Sequence, residues 1–188
     1  MDNRTLLLDV AVRAFSRKGY DGAGVQEIVD LAQVTKPTLY HYFGSKLGLL
    51  EAVLSYGYVD LMPALQMAAD YHHDLPKSLT DIFRTYIQHA AGRPHFTRMR
   101  LAMQFTPLES EASQVVQPYE DRQQQLLEQM FEAAVVDHGN MRGRSRLYAA
   151  SYLGLISSCI SLWLKERVRF DEEFIYRTVH QFMHGIYS

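Results

Sequence analysis

Apolar residues recur at spacings of three and four along most of the chain, and no long alternating run rich in β-branched residues appears, so the pattern predicts an all-α protein. Leu7, Val10, Ala11, Ala14 and Phe15 line one face of a first helix, with Gly19 where a C-terminal cap belongs. A short second helix turns Val25, Ile28, Val29 and Ala32 inward. Thr35 can cap a third helix that carries Pro37 in its first turn, and Ser45 a fourth that runs from Lys46 towards Ala69. Pro63 bends or interrupts that fourth helix. Residues 70–76 read as a loop, and helices follow near 78–91, 95–106, 112–138, 144–167 and 172–186. Pro118 marks either a kink in the 112–138 helix or its true beginning. Asp171 is placed to cap the last helix, with Phe170 and Ile175 flanking it as a hydrophobic staple.

Composition alters this picture little. The chain has 188 residues, 47% of them hydrophobic and 21% charged, with a net charge of -2, so no strong global field draws it to nucleic acid or membrane. Residues 1–50 hold six basic side chains against five acidic ones, a mild contrast whose sign suits a nucleic-acid-binding front end. Cys159 is the single cysteine, which excludes an intrachain disulfide and a Cys-rich zinc site. Leu6-Leu7-Leu8 is too short a run for a signal-peptide core. Leu147 to Leu164 runs without a charge, at the lower limit for a membrane span, but its serines and tyrosines suit a buried helix or a subunit interface better. The chain reads as cytoplasmic, with no membrane partner.

Residues 25–43 have the layout of a helix-turn-helix. A tight turn at Gln33-Val34-Thr35 separates two short helices, and Leu39 and Phe43, four apart, share the inward face of the second. Lys36, Pro37, Thr38, Tyr40 and His41 then point outward, with Tyr42 beside them. Lysine neutralises phosphate, hydroxyls bond phosphate oxygens, and the apolar surface of Thr and Pro can meet a thymine methyl.

These residues carry a resemblance. Leu6 to Val53 resembles the DNA-binding domain of the TetR family of transcriptional regulators, through Ala14-Phe15, Gly19-Tyr20, Val25 to Ala32, Thr35-x-x-Thr38-Leu39-Tyr40-x-x-Phe43, Ser45-Lys46 and Leu49-Leu50. The resemblance implies an N-terminal three-helix DNA-binding domain over residues 1–48 and a helical effector-binding and dimerisation domain over 49–188. It implies DNA contacts from Gln26, Thr35, Lys36, Pro37, Thr38, Tyr40, His41, Tyr42 and Lys46, with Tyr40 and Lys46 on phosphate. Ala23 and Gly24 depart from the Thr and Ser usual in the family, so the second helix lacks a hydroxyl cap. Gln33 replaces the usual glycine of the turn and has to sit at positive φ.

Met and aromatic side chains abound beyond residue 50. They are ordinary core taken singly, but together they suit a pocket for an apolar or aromatic effector, for which Met62, Phe83, Tyr86, Met99, Met103, Phe131, Tyr152 and Trp163 are the candidates. Ala150, Gly154 and Ser158 form a stripe of small residues, and Phe174, Phe182, Met183 and Ile186 an apolar stripe on the last helix; together they suit half of a four-helix interface in a homodimer. His180 and His184 lack the further ligand a metal site needs, so neither metal nor cofactor is assigned. No phosphate loop, nucleophile elbow or paired-carboxylate motif is present, and no catalytic residue is assigned. The expected function is a ligand-responsive regulator, a homodimeric repressor released from a palindromic operator in double-stranded DNA by a small effector. A DNA-binding regulator without an effector, and a helical small-molecule-binding protein, are the alternatives.

Overall fold

The computed structural model describes residues 2–185, and among them ten α-helices form the fold. They are α1 (Asn3–Gly22), α2 (Val25–Leu31), α3 (Lys36–Phe43), α4 (Lys46–Tyr58), α5 (Leu61–Ala68), α6 (Leu75–Gly92), α7 (Pro94–Met103), α8 (Glu111–Ala134), α9 (Ser145–Leu164) and α10 (Glu172–His184). Their starts follow local chemistry. Asp2, Thr35, Ser45 and Asp171 each accept a bond from a backbone N–H of the first turn, which satisfies a donor that the helix itself leaves orphaned. Gly24 caps α2 without a side-chain bond, as its lack of a hydroxyl implies.

Helix ends differ from the sequence pattern by a few residues, most at the C-terminus of α8, and two prolines shape the helices in different ways. The segment from Lys46 towards Ala69 is two helices, broken at Val59 and Asp60. Pro63 lies inside α5, and the ring of a helical proline clashes with the carbonyl four residues earlier, which here belongs to Val59. Pro118, by contrast, neither starts nor ends a helix. Ser110 accepts from the Ser113 N–H at 3.1 Å, so α8 is capped from Ser110 and runs through Pro118 to Ala134. Phe170 makes ring contacts with Phe83, Trp163 and Phe174, so it joins an aromatic cluster around the start of α10.

The chain packs as two units, residues 1–59 with 93–119, and residues 60–92 with 120–188. These packing units do not follow the division at residue 48 that the functional reading uses. In the first unit α1 packs on α2, α3, α4 and α7. Leu7, Ala11 and Phe15 of α1, Ile28 of α2, Leu39 of α3 and Leu49, Leu50 and Val53 of α4 fill its core. Tyr58 stacks on Tyr119 at 4.5 Å and meets Phe96 edge-on at 5.2 Å. Tyr20 sits after the break in α1, where Gly19 has φ 71°, and donates to Glu111 at 3.1 Å.

In the second unit α6 is the central helix, packed by α5, α9 and α10. Its buried face carries Leu79, Ile82, Phe83 and Tyr86. Two buried tyrosines tie the unit together, Tyr152 donating to the Leu79 carbonyl at 2.6 Å and Tyr86 to Gln123 Oε1 at 2.8 Å. Burial holds the Tyr152 hydroxyl well above the ordinary tyrosine range. By length and composition α9 could cross a membrane, but Ala149, Tyr152, Ile156, Cys159 and Ile160 face the unit's interior.

Gly57→Ala is expected to destabilise the first unit. A Cβ at Gly57 would lie 2.0 Å from Phe96 Cε2, and overpacking at about 1–3 kcal/mol exceeds the gain of about 1 kcal/mol in helix propensity; urea unfolding measures the difference. Tyr20 supplies a pH test. Burial, then the Glu111 carboxylate, push its pKa up to about 12. Its folded pKa is therefore raised, so its contribution is full below the ordinary tyrosine pKa of about 10 and is lost as pH rises through about 12. Ultraviolet tyrosinate titration should show several late groups, Tyr71 and Tyr152 among them, and Tyr20→Phe should remove one of them.

Candidate nucleic-acid interface

The turn between α2 and α3 is built from backbone bonds. Ala32 N–H donates to Ile28, Gln33 to Asp30 and Val34 to Val29, all within 3.0–3.1 Å. Gln33 takes φ 54°, a left-handed conformation that non-glycine residues seldom adopt. Thr35 then starts α3. Its Oγ1 accepts from the Thr38 N–H at 3.4 Å and lies 2.9 Å from Thr38 Oγ1, so the two hydroxyls form one capping pair.

The exit from α3 is tighter. Gly44 takes φ 72° and donates to the Tyr40 carbonyl at 2.8 Å, while Ser45 N–H donates to the Phe43 carbonyl. Ser45 Oγ accepts from the Gly48 N–H at 2.9 Å. At Gly48 the two helices come so close that a Cβ would stand 2.0 Å from the Phe43 carbonyl oxygen. Gly48 is therefore a residue that the motif reading passed over. Its signal in the sequence was a glycine three residues after a capping serine, where helix propensity alone argues against glycine.

This frame buries Leu39 fully and leaves Phe43 half-buried under the Arg4 guanidinium, 5.8 Å from the ring centre. Thr35, Lys36, Pro37, Tyr40, His41 and Tyr42 are exposed, and Thr38 is half-buried by its bond to Thr35. Tyr40 and Tyr42 remain 44% and 41% exposed, a large aromatic surface for so short a helix. His41 meets Tyr42 edge-on at 5.4 Å, so these two rings share one exposed surface. Gln26 is also exposed, with its amide donating to Asp30 at 2.7 Å.

Lys46 is more engaged than its place at the start of α4 suggests. Its ammonium lies 4.4 Å from the Tyr20 ring centre and donates to the Asp21 carbonyl at 3.4 Å. Lys18 pairs with Glu27 at 2.8 Å, which ties α1 to α2. Tyr20 thus supports the site from behind, holding Lys46 by its face and Glu111 by its hydroxyl.

The effector candidates divide between the two units. Met99 and Met103 are buried in the first; Phe83, Tyr86, Phe131 and Tyr152 are buried in the second, with Met62 and Trp163 half-buried there. The second unit has an open groove of about 760 Å³ lined by Met67, Leu126 and Met130 with Gln66, Gln129, Asp70 and Tyr71. It also has a more enclosed cavity of about 160 Å³ lined by Leu75, Leu79, Phe131, Met141, Tyr148, Phe182 and Met183, with His138 and Asn140 as its polar members. Of the eight candidates only Phe131 lines either space.

The interface candidates divide too. Ala150, Gly154 and Ser158 are exposed on α9. Phe182 and Met183 are half-buried and line the smaller cavity, where the Phe182 ring lies 4.7 Å from Tyr152 and 6.3 Å from Phe131. Phe174 is half-buried against Phe83 and Phe170. Ile186 lies outside the described residues.

Comparison with known proteins bears on both units. Residues 7–53 match the family profile described as bacterial regulatory proteins, tetR family. The HTH-type transcriptional activator FasR of Mycolicibacterium smegmatis is 37% identical over 92 residues, 47% of this chain and 42% of that protein. The HTH-type transcriptional repressor NicS of Pseudomonas putida is 32% identical over 90 residues, 46% of this chain and 42% of that protein. The chain thus aligns with less than half the length of these two curated relatives. Among solved structures, the regulator FadR of Bacillus subtilis in complex with stearoyl-CoA superposes with TM-score 0.79 at 17% identity, over 97% of this chain and 98% of that one. AibR in complex with isovaleryl coenzyme A and operator DNA superposes with TM-score 0.75 at 23% identity, over 96% and 97%. At such identity the superpositions establish a shared fold.

Gly48→Ala should displace α3 against α4, because the added methyl meets backbone rather than a side chain that can swing away. Thermal unfolding and DNA affinity are expected to fall together, whereas Gly92→Ala, whose Cβ meets nothing within 4 Å, should leave both unchanged.

Proposed function

We propose that this chain, a member of the TetR family of transcriptional regulators, is a ligand-responsive repressor that binds a palindromic operator as a homodimer and leaves it when a small effector binds. The observation that carries the reading is α3: a short helix held rigidly at both ends, with Lys36, Pro37, Tyr40, His41 and Tyr42 exposed along it. DNA recognition belongs to residues 1–48, and effector binding and dimerisation to 49–188. In this arrangement Lys36, Pro37 and Thr38 meet the major groove, Tyr40, Tyr42 and Lys46 meet phosphate, and Gln26, Thr35 and His41 flank them.

The dimer reading rests on α9. Its Ala150, Gly154 and Ser158 are exposed on a helix that carries no charge from Leu147 to Leu164, and Leu147 beside them is 66% exposed. Such a face is costly in water and lets a second helix approach closely. Two copies would set two recognition helices one helical turn apart, roughly 34–36 Å, on a two-fold-symmetric site. The protein works in the cytoplasm, where its DNA is.

The effector is an apolar acyl or aromatic group, and the acyl-CoA carried by two regulators of the same fold supports a thioester of that kind. For release, the effector must bind the conformer with mis-spaced recognition helices better than the DNA-binding one; equal affinity shifts nothing. The chain passes between its two packing units at residues 59–60, 92–93 and 119–120, so an effector in the second unit acts on the first through these connections. Similarity to an activator and to a repressor leaves activation as the second reading, and transcription assayed with and without operator separates the two.

Selection from a random DNA pool should enrich a two-fold-symmetric sequence. Fluorescence anisotropy on that sequence should show affinity falling steeply with salt, and Lys46→Ala should reduce the slope of log K against log salt by roughly one. No enriched sequence, or equal affinity for selected and scrambled DNA, would overturn the operator reading.

A further inference from the structure

The loop between α8 and α9 joins two features that neither the DNA reading nor the dimer reading uses. Met141 in its second half and Tyr148 in the first turn of α9 both line the 160 Å³ cavity. Between them the chain reads Arg142-Gly143-Arg144-Ser145-Arg146, with Gly143 at φ 74° turning the loop. Three arginines in five residues therefore form the arc between two residues of the cavity wall.

This charge has no evident structural purpose. Arg146 approaches Glu128 at 4.0 Å while remaining 92% exposed, a contact worth little. Arg142 and Arg144 are exposed and make no ion pair among the described residues. They precede the first turn of α9, where the helix dipole already places positive charge and carboxylates would be the stabilising choice.

Most of the cavity's lining residues are aliphatic or aromatic, and its size is informative. A space near 150 Å³ lined by aliphatic and aromatic side chains takes a benzene-sized group, and the cavity here has about 160 Å³. His138 and Asn140 are its polar lining residues, able to donate to a carbonyl oxygen. The larger groove has the opposite electrostatics: Asp70 and Tyr71 line it, and Tyr71 bonds Asp137 at 2.7 Å, so an anion is disfavoured there.

We infer that the cavity and its basic loop form the effector site for a short acyl thioester of coenzyme A: an acyl group of about six carbons in the cavity, its carbonyl at His138 or Asn140, and its phosphates on Arg142 and Arg144. The inference rests on the effector reading above and deepens it. Arginine binds phosphate through its planar fork, and such charge-assisted bonds are the strong ones. A long acyl chain does not fit the cavity.

Isothermal titration of the full chain with hexanoyl-CoA, stearoyl-CoA, free coenzyme A and hexanoate tests it. Hexanoyl-CoA should bind more tightly than the other three. The double variant Arg142→Ala/Arg144→Ala should weaken it at least about tenfold, consistent with lost charge-assisted bonds, with thermal unfolding unchanged because both side chains are exposed. Met183→Phe, which narrows the cavity, should shift preference towards a shorter acyl group such as butyryl. If hexanoyl-CoA releases operator DNA with equal affinity in wild type and both variants, this site is wrong while the effector reading stands. If stearoyl-CoA binds best, the size argument is overturned. If no thioester binds a protein that still holds its operator, the thioester class falls with the site and only the DNA-binding function remains.

Discussion

Gly48 and the Phe43 carbonyl stand closer than any side-chain carbon would permit, and the geometry of the DNA-facing helix follows from that approach. A recognition helix of eight residues is too short to be stable alone, since helix nucleation is costly and few backbone bonds repay it. It persists because both ends are anchored. Thr35 satisfies its first turn, Gly44 reverses the chain behind it, and Ser45 starts the next helix at once. With Leu39 driven into the core by the same register, the outward residues have little freedom left. Base readout requires such rigidity, because contacts to base edges discriminate only when side chains arrive in a fixed frame.

Aromatic side chains do two different jobs on this scaffold. In the first unit, Tyr20 is a support: its ring carries the Lys46 ammonium, and its hydroxyl reaches the first residue of α8. In the second unit, Tyr152 and Tyr86 spend their hydroxyls on interior bonds, so the polar tips are satisfied and the rings fill volume. Phe131 and Phe182 touch each other and also line the small cavity. The cavity is thus an unfilled place within the aromatic packing of α6, α8, α9 and α10, rather than a separate feature laid on the surface.

Charge is distributed with similar economy. Several ion pairs among the described residues are local and exposed, such as Arg13 with Asp9 and Arg177 with Glu173, and contribute little to stability. Others cross between helices: Lys18 with Glu27 beside the helix-turn-helix, and Arg84 with Glu172 between α6 and α10. At the α8–α9 loop exposed arginines cluster without acidic partners among the described residues, as lysine and histidine do on α3.

What the sequence alone determined is local. Helical periodicity, the caps at Thr35, Ser45 and Asp171, the positive φ of Gln33 and the outward set on α3 all depend on residues within a few positions of one another, and each was legible. The structure decided what distant residues do to each other. Pro63 breaks the chain at Val59 rather than at itself, because its clash is with the carbonyl four residues back. Pro118 is carried through α8, although its local preference is to end a helix. Phe182 lines a cavity instead of lying wholly on an outer face, and Lys46 rests on Tyr20. Periodicity says that a side chain points inward or outward from its own helix; which neighbour it meets there depends on how the helices pack, and that energy is summed over contacts far apart in the chain.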